Sequence, residues 1–218
     1  MIAKLRTTIT KNLVRMSILD DVTFKELDSI IAENPYLRGY LQGYIAEFKL
    51  MNQLRLIPGV TKVEKIPDVD SIKADIKVEY RGKIITIEVK SIKTDSVKDD
   101  VLNDTWEGTV SFKNTDKRDI EVEGLGVFSS YSLKKGEFDI LAISCFAVSG
   151  KWEFIFIENQ YLPEKSFTMP GYVTTSFIVN PSKTPCVEVD ALGVLESIYN
   201  ASLSLESGAK IEEHEQVA

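Results

Sequence analysis

Histidine is almost absent from this chain of 218 residues: the one copy, His214, stands among the last five positions in a polar stretch. Catalysis by imidazole needs the ring held beside a partner, which excludes Ser/His/Asp hydrolases, Cys/His proteases, histidine-bound zinc enzymes and nucleases with a histidine base. Cysteine is nearly as scarce. Cys145 and Cys186 form neither a disulfide framework nor a metal-binding spacing, and they read as two buried thiols. The chain also lacks the GxxxxGK and GxGxxG loops that cradle phosphates, so no nucleotide cofactor is expected. No apolar run reaches membrane-spanning length, and Lys4, Arg6, Lys11 and Arg15 interrupt the N-terminus, so the expectation is a soluble cytoplasmic protein with no membrane contact. Any chemistry falls to carboxylates and lysines.

Those are plentiful. Hydrophobic residues make up 44% and charged ones 27%, which suits one globular domain, expected over 1–204, followed by a disordered acidic tail at 205–218. Lys and Arg number 26 against 33 Asp and Glu, a formal charge of -7. A nucleic-acid partner would therefore need local basic patches or bound cations.

Spacing of apolar residues predicts two helices over 1–33, the second opened by a Thr23–Glu26 capping box. Asn34 and Pro35 start a longer helix, to about Leu56, with an expected core stripe of Leu37, Leu41, Tyr44, Ile45, Phe48 and Met51. Strands are predicted near 60–66, 73–80 and 83–90, the last two joined by Arg81-Gly82. Residues 91–137 form a polar insertion with strand-like pieces at 108–115, 119–123 and 127–133, and insertions of this kind tend to be functional. Apolar strands follow at 138–148 and 151–158. Residues 160–185 hold most of the prolines and few periodic stretches, 186–189 reads as a short strand, and Asp190 caps a last helix to about Leu205.

A two-residue loop sets the register of the hairpin around it. Tyr80 then pairs with Lys83, and Asp75 is expected opposite Glu88, their Cβ atoms about 5 Å apart. Alternation puts Asp75, Lys77, Glu79, Ile84, Thr86, Glu88 and Lys90 on one face, and Ala74, Ile76, Val78, Tyr80, Ile85, Ile87 and Val89 on an apolar one. Two facing carboxylates repel unless they share a proton or a cation, and oxygen ligands favour Mg²⁺, with Mn²⁺ as a substitute. Lys90 beside such an ion could orient a water and stabilise charge on a phosphate. The same residues also read as a solvated face of ion pairs. Geometry alone leaves both open.

Asp75, twelve intervening residues and then Glu88-Val89-Lys90 at the end of the second hairpin strand resemble the PD-(D/E)XK nuclease superfamily. The order helix, three strands, connection and further strands, over roughly 36–158, is similar to that family's core. The resemblance implies an α/β fold with a mixed central sheet flanked by helices, and Mg²⁺ held by Glu47 on the preceding helix, Asp75 and Glu88, with Lys90 assisting. Ala74 stands where the family has proline. Pro67-Asp68 supplies that dipeptide elsewhere, and Asp75-Ile76-Lys77 offers a second triplet, but the turn register favours Asp75 and Glu88.

Ser111-Phe112-Lys113, Lys117-Arg118, the stretch from Lys134 to Leu141 and Lys151-Trp152-Glu153-Phe154 look like restriction-endonuclease-like members of that superfamily. Lys113, Lys117 and Arg118 are the candidates for contacts with double-stranded DNA. Trp106 could stack on a base or cap the core, and Asp139 is expected to order the site rather than bind metal. The expectation is a Mg²⁺-dependent DNA endonuclease, type II restriction-like, acting as a homodimer. A junction-resolvase-like repair nuclease and an inactive nucleic-acid-binding module on the same fold are the alternatives.

Overall fold

The computed structural model describes residues 21–67, 73–112, 118–122, 126–165 and 170–215. The chain divides into two compact units, residues 1–42 and 43–218, and the division falls inside a helix. The expected helix over Ile2 to Met16 lies outside the described residues, as does Asp68. In the first unit, helix α1 (Phe24–Glu33) starts at the expected capping box: Glu26 N donates to Thr23 Oγ1 at 3.2 Å, and Thr23 N donates to Glu26 Oε2 at 2.9 Å. Helix α2 (Pro35–Leu54) begins there and continues into the second unit.

The second unit is built on a five-stranded mixed sheet. Its strands are β1 (Val60–Lys65), β2 (Ile76–Tyr80), β3 (Lys83–Ser91), β8 (Ile140–Ser144) and β9 (Phe154–Glu158), in the order β1-β2-β3-β8-β9. Only β3 and β8 run parallel. The β2–β3 hairpin has the register expected of its two-residue loop, Tyr80 facing Lys83 and Ile76 facing Ile87. That loop needs positive φ at both positions, which Gly82 adopts at +81° and Arg81 accepts at +49°.

One face of the sheet packs on helices. Ala46, Leu50 and Leu54 of α2 and Val194 and Leu195 of α4 (Ala191–Glu215) bury Ile76, Val78, Ile85, Ile87, Val89, Ile140 and Ala142. The other face carries Leu141, Ile143, Ile155 and Ile157 against Val110, Phe112 and Val179. Those last three belong to or adjoin β5 (Thr105–Ser111) and β10 (Ser176–Val179), which with β4 (Lys98–Asp100) make a three-stranded sheet ordered β10-β5-β4. A Cβ on Gly108 of β5 would stand 2.5 Å from the Ile92 Cγ2 methyl, so glycine lets β5 close over the end of β3. Strands β6 (Arg118–Val122) and β7 (Gly126–Ser130) form a separate hairpin.

Several elements differ from expectation. The core stripe of α2 is Ala46, Leu50 and Leu54, while Tyr44 and Phe48 stay 49% and 60% exposed. Apolar residues recur at four-residue spacing along two lines of this helix, and the line with the smaller Ala46 is the one against the sheet. The strand expected over 138–148 ends at Ser144, followed by a helical turn, α3 (Phe146–Ser149). Residues 186–189 contribute an isolated bridge between Glu188 and Phe156 instead of a strand, whereas β4 and β10 were not anticipated. The last helix extends to Glu215, past the expected end near Leu205. Cys145 is buried, but Cys186 is exposed at a φ of +56° in the turn after Pro185.

Candidate functional site

The site forms where the hairpin ladder runs out. Main-chain pairing of β2 with β3 stops at Ile76 and Ile87. The backbone then departs from the straight register: Asp75 N donates to Ile87 O at 3.0 Å, and Ile66 N donates to Asp75 O at 2.9 Å. The next free donor on that edge of β3 is Val89 N–H, and the Asp75 side chain takes it, Oδ2 accepting at 2.7 Å. Asp75 thus continues the ladder with a carboxylate, which anchors it beside Glu88. The same departure turns Ala74 over: it packs with Ile66 and Leu141 in the second cluster, not with Ile76 and Val78 as simple alternation expects.

Glu88 projects on the face covered by β5 and β10, next to Leu141 in register, and is only 7% exposed. Lys90, two residues on, donates from Nζ to Glu88 Oε1. Burial pushes the Glu88 carboxyl up from its ordinary 4.5 to about 7; the Lys90 charge opposes this, and Asp75 and Glu47 reinforce it. Burial works against the Lys90 ammonium, but the charges of Glu88, Asp75 and Glu47 hold it above its ordinary value, so it is a cation at neutral pH. Glu47 on α2 is ion-paired with Lys65 of β1, whose ammonium also lies 4.5 Å over the Tyr44 ring. Among the described residues no three acidic, histidine or cysteine side chains converge as a cation-binding group.

Oxygen donors of this kind still suit Mg²⁺, which is usually held by one or two carboxylates together with waters and substrate phosphates rather than by a cage of protein ligands. Asp75 and Glu88 supply such a pair, with charges close enough to repel, while the Glu47 carboxylate is engaged by Lys65.

Asp139, just before β8, orders the centre of the sheet. Its Oδ2 accepts from Thr86 N at 2.7 Å and Thr86 Oγ1 at 2.8 Å, while Asp139 N donates to Thr86 O at 3.0 Å. This clamp locks β3 against β8 at the position two residues before Glu88, and no carboxylate spacing in the sequence signals it. Trp106 is partly buried against the second cluster. Arg118 begins β6, paired with Ser130, while Lys113 and Lys117 lie outside the described residues.

Stability should report the Glu88 proton. With the folded pKa above the ordinary value, the native state binds a proton that the unfolded chain has released between pH 4.5 and about 7. The stabilisation is fully present below pH 4.5 and is lost as pH rises through about 7. Denaturant unfolding followed from pH 5 to 8 should show stability falling over this range in the wild type and a flatter profile in Glu88→Gln; parallel profiles would contradict the assignment.

No family model and no curated protein matches the chain. Among solved structures, it is similar to a bacterial homing endonuclease, I-Ssp6803I, at 18% identity and a TM-score of 0.36, over 60% of this chain and 82% of that one. A likeness of this size decides neither family nor chemistry. Among the described residues no helix is long and apolar enough to cross a membrane.

Proposed function

We propose that the protein is a Mg²⁺-dependent DNA endonuclease of the PD-(D/E)XK type, cutting both strands as a homodimer in the manner of a type II restriction enzyme. The observation that supports it best is a buried glutamate paired with a lysine two residues on and set beside a second, anchored carboxylate. Burying Glu88 beside a second carboxylate costs stability, so the juxtaposition suits a site that is completed by a cation and a phosphate. Asp75 and Glu88 would hold Mg²⁺, with Glu47 joining if a substrate draws it from Lys65. The metal would supply Lewis acidity toward the phosphate and lower the pKa of water.

The chain's own groups have distinct parts in this reading. The Val89 N–H fixes the Asp75 carboxylate through Oδ2. The Lys90 ammonium, charged at neutral pH, keeps Glu88 ionised more than burial alone would and offers its remaining N–H donors to a phosphate oxygen or to the attacking water. Glu88 itself is only 7% exposed, which limits its contact with bulk water. Attack of water on phosphorus then breaks one P–O ester bond, leaving a phosphate end and a hydroxyl end.

A second reading is favoured by one finding: Glu47 and Glu88 are each ion-paired to lysine and, among the described residues, no three acids converge. Those pairs would equally stabilise an inactive DNA-binding module. Incubation of supercoiled plasmid with Mg²⁺ separates the readings. Discrete linear fragments support the dimeric endonuclease, cutting confined to branched substrates supports a resolvase-like enzyme, and binding without cleavage in either Mg²⁺ or Mn²⁺ supports the module.

A further inference from the structure

Glu47 lies close to the carboxylates proposed to hold a cation, yet it is engaged elsewhere. It follows Ala46 on α2 and precedes Leu50 by three residues, both packed on the sheet, and only 13% of its side chain is exposed. Burial is the largest influence on Glu88 and on Lys90, but the Glu47 charge also acts on both and raises each, which puts it within electrostatic reach of the pair. Among the described residues, even so, no three acids converge as a cation-binding group. The Glu47 carboxylate is ion-paired with Lys65.

Lys65 owes its place to the sheet. It ends β1, faces Ile76 in register, and is followed by Ile66, whose N donates to Asp75 O at 2.9 Å. Its ammonium has a second seat, 4.5 Å over the centre of the Tyr44 ring. Tyr44 and Glu47 are three residues apart on α2 and so are neighbours on its surface. The ring therefore holds the ammonium against α2 even when the carboxylate is drawn away, which lowers the cost of releasing Glu47. Lys62 on the same strand is different: it pairs at 2.9 Å with Glu64 of β1 itself, and both side chains are well exposed.

We propose that Lys65 is a built-in competitor of the divalent cation: its ammonium occupies the Glu47 carboxylate, so the free protein offers a metal only Asp75 and Glu88, and Glu47 completes the set when Lys65 shifts to the Tyr44 ring. The inference rests on the reading of Asp75 and Glu88 as a cation site. An ammonium and a divalent cation repel each other at one carboxylate, so occupancy by either opposes the other. Lys65 is a positioning residue in this scheme, acting through Glu47.

Mn²⁺ titrated into the full chain without DNA, with the free ion followed by electron paramagnetic resonance, tests it. Lys65→Met should strengthen binding by about tenfold or more, the scale on which metal sites respond to a neighbouring group. Lys65→Gln serves if that variant does not fold. Lys62→Met removes the same charge from the same strand and should change the affinity little. In the double variant Glu47→Gln with Lys65→Met, the gain should vanish. Unchanged affinity in the Lys65 variants overturns the proposal, as does an equal gain in Lys62→Met or a gain that survives the loss of Glu47. Glu88→Gln separates this from the reading beneath it: where that variant loses the Mn²⁺ that the wild type binds, the cation site stands whatever Lys65 does. Absence of Mn²⁺ binding in the wild type and in Lys65→Met alike overturns both.

Discussion

Glu88→Gln should abolish plasmid cleavage, by about 10³-fold or more, and remove measurable Mg²⁺ affinity, while the protein stays folded. Two effects compete in the fold. Losing the carboxylate deprives Lys90 of its partner, and it also relieves the cost of a buried charge beside Asp75. The raised Glu88 pKa shows that burial outweighs the lysine, because the native state prefers the neutral carboxyl even with Lys90 present. A neutral amide of the same shape mimics that form. Glu88→Gln should therefore match the wild type in stability near pH 5 and equal or exceed it near pH 8, with activity gone at both. Calorimetric Mg²⁺ titration, plasmid cleavage and denaturant unfolding together check this. Retained cleavage in a folded variant would remove Glu88 from the site.

Lys90→Ala is expected to slow hydrolysis by about 10²–10⁴-fold while changing DNA affinity in Ca²⁺ little, the pattern of a group acting on transition-state charge. Part of the loss has a second origin. Without the ammonium, burial and the Asp75 charge act on Glu88 unopposed, and its carboxyl rises further, so less of it is ionised at neutral pH. Measuring the rate from pH 7 to 9 separates the two contributions. Alkaline recovery to the wild-type rate would reduce Lys90 to a positioning residue that keeps Glu88 ionised; a deficit that persists at pH 9 would assign it direct contact with the reacting phosphate or water. A wild-type rate at pH 7 would show that the site lies elsewhere.

The sequence by itself determined what depends on neighbours along the chain. A two-residue loop closes only one way, so Arg81-Gly82 set every pair from Tyr80–Lys83 to Ile76–Ile87. Thr23 and Glu26 are three residues apart and cap one helix without help from any other element. Alternation predicted faces correctly as far as Ile76 and failed at Asp75, where the strand turns toward β1 and a side chain replaces the backbone in the ladder. Only the tertiary structure decided which of two apolar lines on α2 meets the sheet, because both share the helical period. It also decided the character of Glu88: an exposed and a buried glutamate on a strand have the same local pattern, and only the folded chain leaves Glu88 7% exposed. That burial is the largest influence on the Glu88 carboxyl, ahead of the opposing Lys90 charge, and no spacing within the hairpin encodes it.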